Sequence, residues 1–333
     1  MLSRPVLIAL GAAAFAIFPA TASPYHPVAV TPLPEMPEGD FDQLAADVPH
    51  NRLYVSAEAG AAMYVFDLRS GALVRRGGPV GSPHKVAIDI ARQHLFVADG
   101  ADGSVKILDP DLGLVARVEV GPKPDTGLLD PRRHIFYVSS RDPAPGATGS
   151  LVTTISTENF AILARYAVPA TTLKGLILDE QSRRLFVSAR DKDGIATISL
   201  DDGTVSISSP AGLHRNVPLA FDPASGHLFV GSRAPGMLNV VDTRTQTVTQ
   251  TLPSTETSDS VSFDRGAGIL YLSGDTGMSR YAVDKQGHAS LLETDPSLSG
   301  KTSLYVPANH RIYVMRRKDK DAPAALQVFD VLK

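Results

Sequence analysis

A β-propeller of seven four-stranded antiparallel blades is the fold this sequence predicts, and three observations predict it. An apolar cluster built on an aromatic residue recurs seven times, as Leu53-Tyr-Val-Ser, Leu95-Phe-Val-Ala, Phe136-Tyr-Val-Ser, Leu185-Phe-Val-Ser, Leu228-Phe-Val-Gly, Leu270-Tyr-Leu-Ser and Ile312-Tyr-Val-Met, at spacings of 42, 41, 49, 43, 42 and 42 residues. Each period holds four short runs, apolar or alternating, divided by turn residues, which is the arithmetic of a propeller blade. No stretch sustains a helical period, so the class is all-β.

The elements follow in order. Met1 to Arg4 is a short basic start, Pro5 to Phe18 is apolar and stops at Pro19, and Ala20-Thr-Ala22 offers a small-residue cleavage site. About 14 apolar residues fall short of the ~20 that span a bilayer. Residues 1–22 are therefore expected to be a cleaved signal peptide, and residues 23–333 a single exported propeller domain, periplasmic or secreted. His26 to Leu33 resembles the outer strands of the later units. The last unit has only three strands of its own, ending at Leu326-Gln-Val-Phe-Asp-Val331, so the N-terminal strand is expected to join it and close the ring.

The second unit shows the pattern. Lys85-Val-Ala-Ile-Asp is the inner strand, His94-Leu-Phe-Val-Ala the second, Ser104-Val-Lys-Ile-Leu the third and Leu114-Val-Ala-Arg-Val-Glu-Val the outer one. Six residues before most clusters stands an Asp (Asp47, Asp89, Asp130, Asp179, Asp222 and Asp264), replaced by Val306 in the last. Fourteen residues after the cluster starts comes Asp67, Asp109, Ser199, Asp242 or Asp284, stretched to Ser156 and Asp330 in the third and seventh units. A carboxylate at such a turn accepts backbone N–H groups as an Asx-turn.

These clusters, with Lys106-Ile-Leu-Asp109, Asn239-Val-Val-Asp242, Val120-Gly-Pro-Lys-Pro124 and Val80-Gly-Ser-Pro83, resemble the YVTN family of exported β-propeller repeat proteins. The resemblance runs from about Asp42 to the C-terminus, lacks the Thr-Asn after the aromatic strand, and speaks to fold, because the shared residues are those of core and turn. WD40 and kelch units lean on Trp, and this chain has none.

Composition narrows the chemistry. With 35 acidic and 32 basic residues, the chain lacks the charge excess of a polyanion-coating protein. The absence of Cys rules out disulfides, Cys-bearing zinc sites, iron–sulfur clusters, c-type haem attachment and a lipidated Cys. No Gly-x-Ser-x-Gly, His-Glu-x-x-His, P-loop or strand-to-helix Gly-x-Gly-x-x-Gly is present.

Ligands of propellers meet the loops around one channel mouth. Five residues ahead of the repeated Asp, one residue per blade falls there: Asp42, His84, Asp125, Lys174, Val217, Asp259 and Lys301. Five residues into the second-strand cluster a second ring reads Glu58, Gly100, Arg141, Arg190, Arg233, Asp275 and Arg317. The first ring is expected to pair internally, Asp125 with Lys174 and Asp259 with Lys301. In the second, Arg141, Arg190 and Arg233 lie near Lys174, His214 and Arg215, so blades three to five form a basic sector where an Arg fork binds carboxylate or phosphate. The expected binding set is Arg141, Arg190, Arg233, Arg317, Lys174, Arg215, His214, His84, Lys85 and Asp125. The insertions 142–149 and 318–323 fall in second-to-third-strand loops, which supports this face as the working one.

No metal or other cofactor is expected. His50, His94, His134, His227 and His310 read as turn residues on the opposite face, His84 and His214 lack a third His, and Asp42, Asp125 and Asp259 come from separated blades. The expected function is a non-catalytic binding or scaffolding module, monomeric, for an anionic small molecule, a peptide or an envelope protein. One alternative rests on Ser82-Pro-His-Lys and Leu95-Phe-Val-Ala-Asp99, which resemble segments of seven-bladed lactonases; His84 would then activate water. A second is weak nucleic-acid binding through the basic sector, disfavoured because the repeated aromatics are assigned to the core.

Overall fold

The computed structural model describes residues 23–332, so the leader expected at residues 1–22 lies outside the described residues. Seven four-stranded antiparallel sheets form the ring, and among the described residues two single turns of 3-10 helix, Arg190–Lys192 and Pro296–Leu298, are the helical elements. The second blade runs Pro83–Asp89, His94–Asp99, Ser104–Leu108 and Leu114–Glu119, close to the limits read from its alternation.

Burial explains why the strands differ in composition. Second and third strands are covered on both faces by neighbouring blades, so they are continuous apolar runs; Leu114–Glu119, an outer strand, leaves most of its side chains exposed. The core is consequently a set of layers between blades. Phe96 of the second blade packs on Phe136 of the third with ring centroids 5.2 Å apart, and Tyr271 stacks on Tyr305 at 4.6 Å. All seven repeated aromatics are at most 4% exposed, which places them in the core and withholds them from stacking on bases.

The repeated acids tie the turns. Asp47, Asp89, Asp130, Asp179, Asp222 and Asp264 each accept backbone N–H groups two or three residues on, and Asp67, Asp109, Asp242 and Asp284 do the same in the third turn. In the last blade, where Val306 replaces the Asp, Asn309 accepts from the Arg311 N–H instead.

Closure follows the expectation from the sequence. Tyr25–Leu33 pairs antiparallel with Ala324–Val331, from Tyr25 opposite Val331 to Leu33 opposite Ala324, and completes the seventh sheet. Among the described residues no helix is long and apolar enough to cross a membrane.

Candidate functional site at the channel mouth

The inner strands converge on a cavity of about 340 Å³ at the mouth, and all seven residues of the first ring line it, Asp42, His84, Asp125, Lys174, Val217, Asp259 and Lys301. Glu58, Lys85 and Arg233 complete its charged lining, giving four acids, four bases and one imidazole.

Much of this charge is matched internally. Lys174 pairs with Asp125, Arg233 pairs with Asp259, and Lys301 reaches both Asp40 at 2.8 Å and Asp259 at 3.1 Å. The pairing expected for the first ring is thus present, with Arg233 and Asp40 added to it. Burial pushes the Asp259 carboxyl above its usual range despite the charges of Lys301 and Arg233.

His84 is held in a built seat. Its Nδ1 lies 2.7 Å from Asp42 Oδ2 and 3.9 Å from Glu58 Oε2. A Cβ on Gly100 would stand 2.8 Å from its Nε2, so glycine at the ring position that is charged in the other blades leaves room for the imidazole here. Burial favours the neutral ring, but the hydrogen bond and charge of Asp42, with Asp125 and Glu58, outweigh it and raise the imidazole above its usual pKa. Burial likewise opposes ionisation of Asp42; the His84 bond and charge, with Lys174 and Lys301, prevail and hold its carboxyl below the usual range.

The entry loop before His84 is pinned by a residue that counting along the repeat did not single out as functional. Asp99, at the end of the second strand, accepts the N–H groups of Gly81 at 2.9 Å and Ser82 at 2.8 Å, and Lys106 neutralises it at 3.1 Å. Asp191 holds Thr171 and Thr172 in the same way, and Asp193 holds Arg215. The sequence signal was an acid at or just after the end of the second strand in blades two and four.

Several expectations are corrected by this geometry. Arg317 does not face the mouth; it is closed onto Asp40 at 3.0 Å and Asp275 at 2.6 Å and lines a separate outer cleft. The basic sector is not uniformly free, since Lys174 and Arg233 are paired and exposed His214 sits 3.2 Å from Asp193. Among the described residues, Arg141, Arg190, Arg215 and Lys85 have no carboxylate within ion-pair reach. Arg141 lines a shallow cleft of about 160 Å³ with Lys123, Thr171 and Thr172, between blades three and four. Half-buried Arg190 has its backbone N–H fixed to Thr172 O at 2.9 Å. Burial, then the charges of Arg233 and Arg215, lower its hold on its proton.

Asp42 and Asp125, assigned by sequence to separated blades, in fact flank blade two, and with His84 their polar atoms lie within 4.8 Å of one another. The wedge shape of the blades narrows toward the axis and brings residues 42 positions apart into contact. These atoms are already engaged, Asp42 by His84 and Asp125 by Lys174, so the trio is part of the ion-pair network of the mouth.

Comparison with known proteins agrees on the fold. No model of a known protein family matches the chain. It is 23% identical over 200 residues to the uncharacterized protein YncE of Salmonella typhimurium, a match covering 57% of this chain and 54% of that protein. The chain thus matches about half the length of this curated relative. Among solved structures, a chain of the mitotic checkpoint complex superposes with TM-score 0.74 at 15% identity, covering 100% of both chains. Kuenenia stuttgartiensis hydrazine synthase gives 0.68 at 12% identity, covering 93% of this chain and 98% of that one. A functionally unknown protein from Desulfotomaculum acetoxidans gives 0.67 at 11%, covering 80% and 89%. Identities this low carry the fold alone. The protein is a seven-bladed β-propeller repeat protein, an architecture consistent with binding or scaffolding.

Proposed function

We propose that this protein is an exported propeller of YVTN type that binds a small anion-bearing ligand at the channel mouth, as a binding or scaffolding module. The observation that carries the reading is Arg190. It is half-buried, has no acidic partner within ion-pair reach among the described residues, and lies near enough to Arg233 of the cavity lining and to Arg215 for their charges to act on it. An arriving carboxylate or phosphate relieves that repulsion and meets a two-point donor. The apolar leader Pro5–Phe18 supports export.

Melting curves in inorganic phosphate and in succinate test this. A ligand at a hundred times its Kd adds about 2.7 kcal/mol to the native state, so an upward shift is expected for the natural chain. Charge reversal of Arg190 and Arg215 to Glu should abolish the shift without lowering the melting temperature of the ligand-free protein. Arg233 is left intact because it holds Asp259. A shift that survives the double reversal refutes the reading.

The Asp42–His84 hydrogen bond also favours the lactonase alternative, since it is the pairing of a base with an orienting carboxylate. Against it, the same carboxylate keeps the ring protonated to higher pH, which suits a donor and not a water-activating base. Lactone turnover at neutral pH, lost in His84→Ala, would overturn the binding reading in favour of this one.

A further inference from the structure

Three lysines line the cavity, and they are not alike. Lys174 is paired with Asp125, and Lys301 with Asp40 and Asp259. Lys85 has no carboxylate within ion-pair reach and its side chain makes no hydrogen bond among the described residues. It lies on the inner strand of the second blade, where the register shifts between Pro83 and Val86, and it lines the cavity. His84 and Lys85 both line the cavity, and the Lys85 backbone N–H bonds to Asp125 O at 3.1 Å in the next blade.

We propose that Lys85 is a carbonyl-reactive amine, and that the channel mouth takes an anion-bearing aldehyde or 2-oxo acid as an imine on its Nζ. The proposal deepens the reading of the mouth as an anion site and rests on it for the anionic half of the ligand. Burial lowers the proton affinity of Lys85, and the more distant Asp42 charge offsets this only in part. A lowered proton affinity leaves more of this amine as the free, nucleophilic base, whereas Lys301, beside Asp259 and Asp40, is held above its usual range.

The chemistry balances without an oxidant. The Nζ lone pair attacks the carbonyl carbon, the C–N bond forms, and the carbonyl π electrons pass to oxygen, which takes up a proton while nitrogen gives one up. The resulting carbinolamine is protonated at its hydroxyl, water leaves with the C–O electrons, nitrogen closes the C=N bond, and loss of a proton leaves the neutral imine. One carbonyl compound and one amine thus become one imine and one water. Glu58 and His84 line the same cavity as proton carriers. Burial, with the charges of Asp42 and Asp40 and against that of His84, raises the Glu58 carboxyl above its usual range.

Reductive trapping of the purified full chain with glyoxylate and cyanoborohydride at neutral pH, read by peptide mass spectrometry, is the test. A lowered proton affinity and the lack of an ion pair leave more free amine, so Lys85 should be labelled several-fold faster than Lys174 and Lys301 in the same sample. The label should vanish from that peptide in Lys85→Met and in Lys85→Arg, two variants that keep bulk at the site. Equal labelling of the three lysines overturns the proposal. Formaldehyde, which carries no charge, separates the two readings. If Arg190→Glu slows glyoxylate but not formaldehyde at Lys85, both stand. If it slows neither while Lys85 remains fastest, the anionic reading of the mouth falls and the reactive amine stands.

Discussion

His84 shows how one residue is shaped by three blades. Its imidazole is raised by Asp42 and the Asp42 carboxyl is depressed by it, so the pair has a working pH window. A raised His contributes stability that is complete below its unfolded pKa of about 6.5 and is lost as pH climbs through the folded value. A depressed Asp contributes stability that is complete above its unfolded pKa of about 3.9 and is lost as pH falls through the folded value. The pair therefore stabilises most between about pH 4 and 6.5. His84→Ala should cost about 2 kcal/mol in that window, the scale of a hydrogen bond between charged groups, and less at alkaline pH. Urea unfolding at a series of pH values checks it, and a pH-independent difference would refute the pairing. Counting along the repeat found His84, Asp42 and Asp125, because each occupies the same place in its blade. It did not find that Lys85 stands alone, since the partners of a lysine are set by rotamers across the ring.

At the scale of the element, the inner strands carry the devices that shape the mouth. Register shifts interrupt them in blades two, four and five, between Pro83 and Val86, Lys174 and Leu176, and Asn216 and Leu219. In blade four the slip needs Gly175, which sits at φ +46°, where a Cβ would overlap the Val217 carbonyl oxygen of the next blade. Gly175→Ala should therefore cost about 3 kcal/mol, far more than a glycine in an open turn. Thermal melting would show it, and a neutral result would mean the strand can regain regular pairing. The sequence offered a glycine there and nothing to distinguish it from the turn glycines. The repeated turn acids, by contrast, were legible, since an Asx-turn is a contact within three or four residues and its signal survives in the chain.

For the molecule as a whole, closure by the N-terminal strand is the decisive feature. Tyr25–Leu33 buries its end residues Tyr25 and Leu33 and covers the edge of Ala324–Val331. Deleting residues 25–33 leaves a bare strand edge and opens the ring between its first and last blades. The truncated chain should melt many degrees lower and self-associate, as scanning fluorimetry and light scattering would show. An unchanged melting temperature would mean that blade-to-blade packing alone closes the ring. The long loop 142–149, whose residues are mostly exposed, is the contrasting case in which a change should barely register.

The amino-acid sequence by itself determined the number of blades, the strand order within each, the closing strand and the ring of residues facing the axis. Those features repeat, and hydrophobic period and turn chemistry are local enough to be read seven times over. Only the tertiary structure decided which charges at the mouth are spent and which are free. It paired Arg317 with Asp275 and Arg233 with Asp259, left Arg190 and Lys85 without an acidic partner among the described residues, and brought Asp42 and Asp125 together around His84. The physical reason is that an ion pair depends on separations of a few ångströms between different blades, and no repeat spacing encodes them.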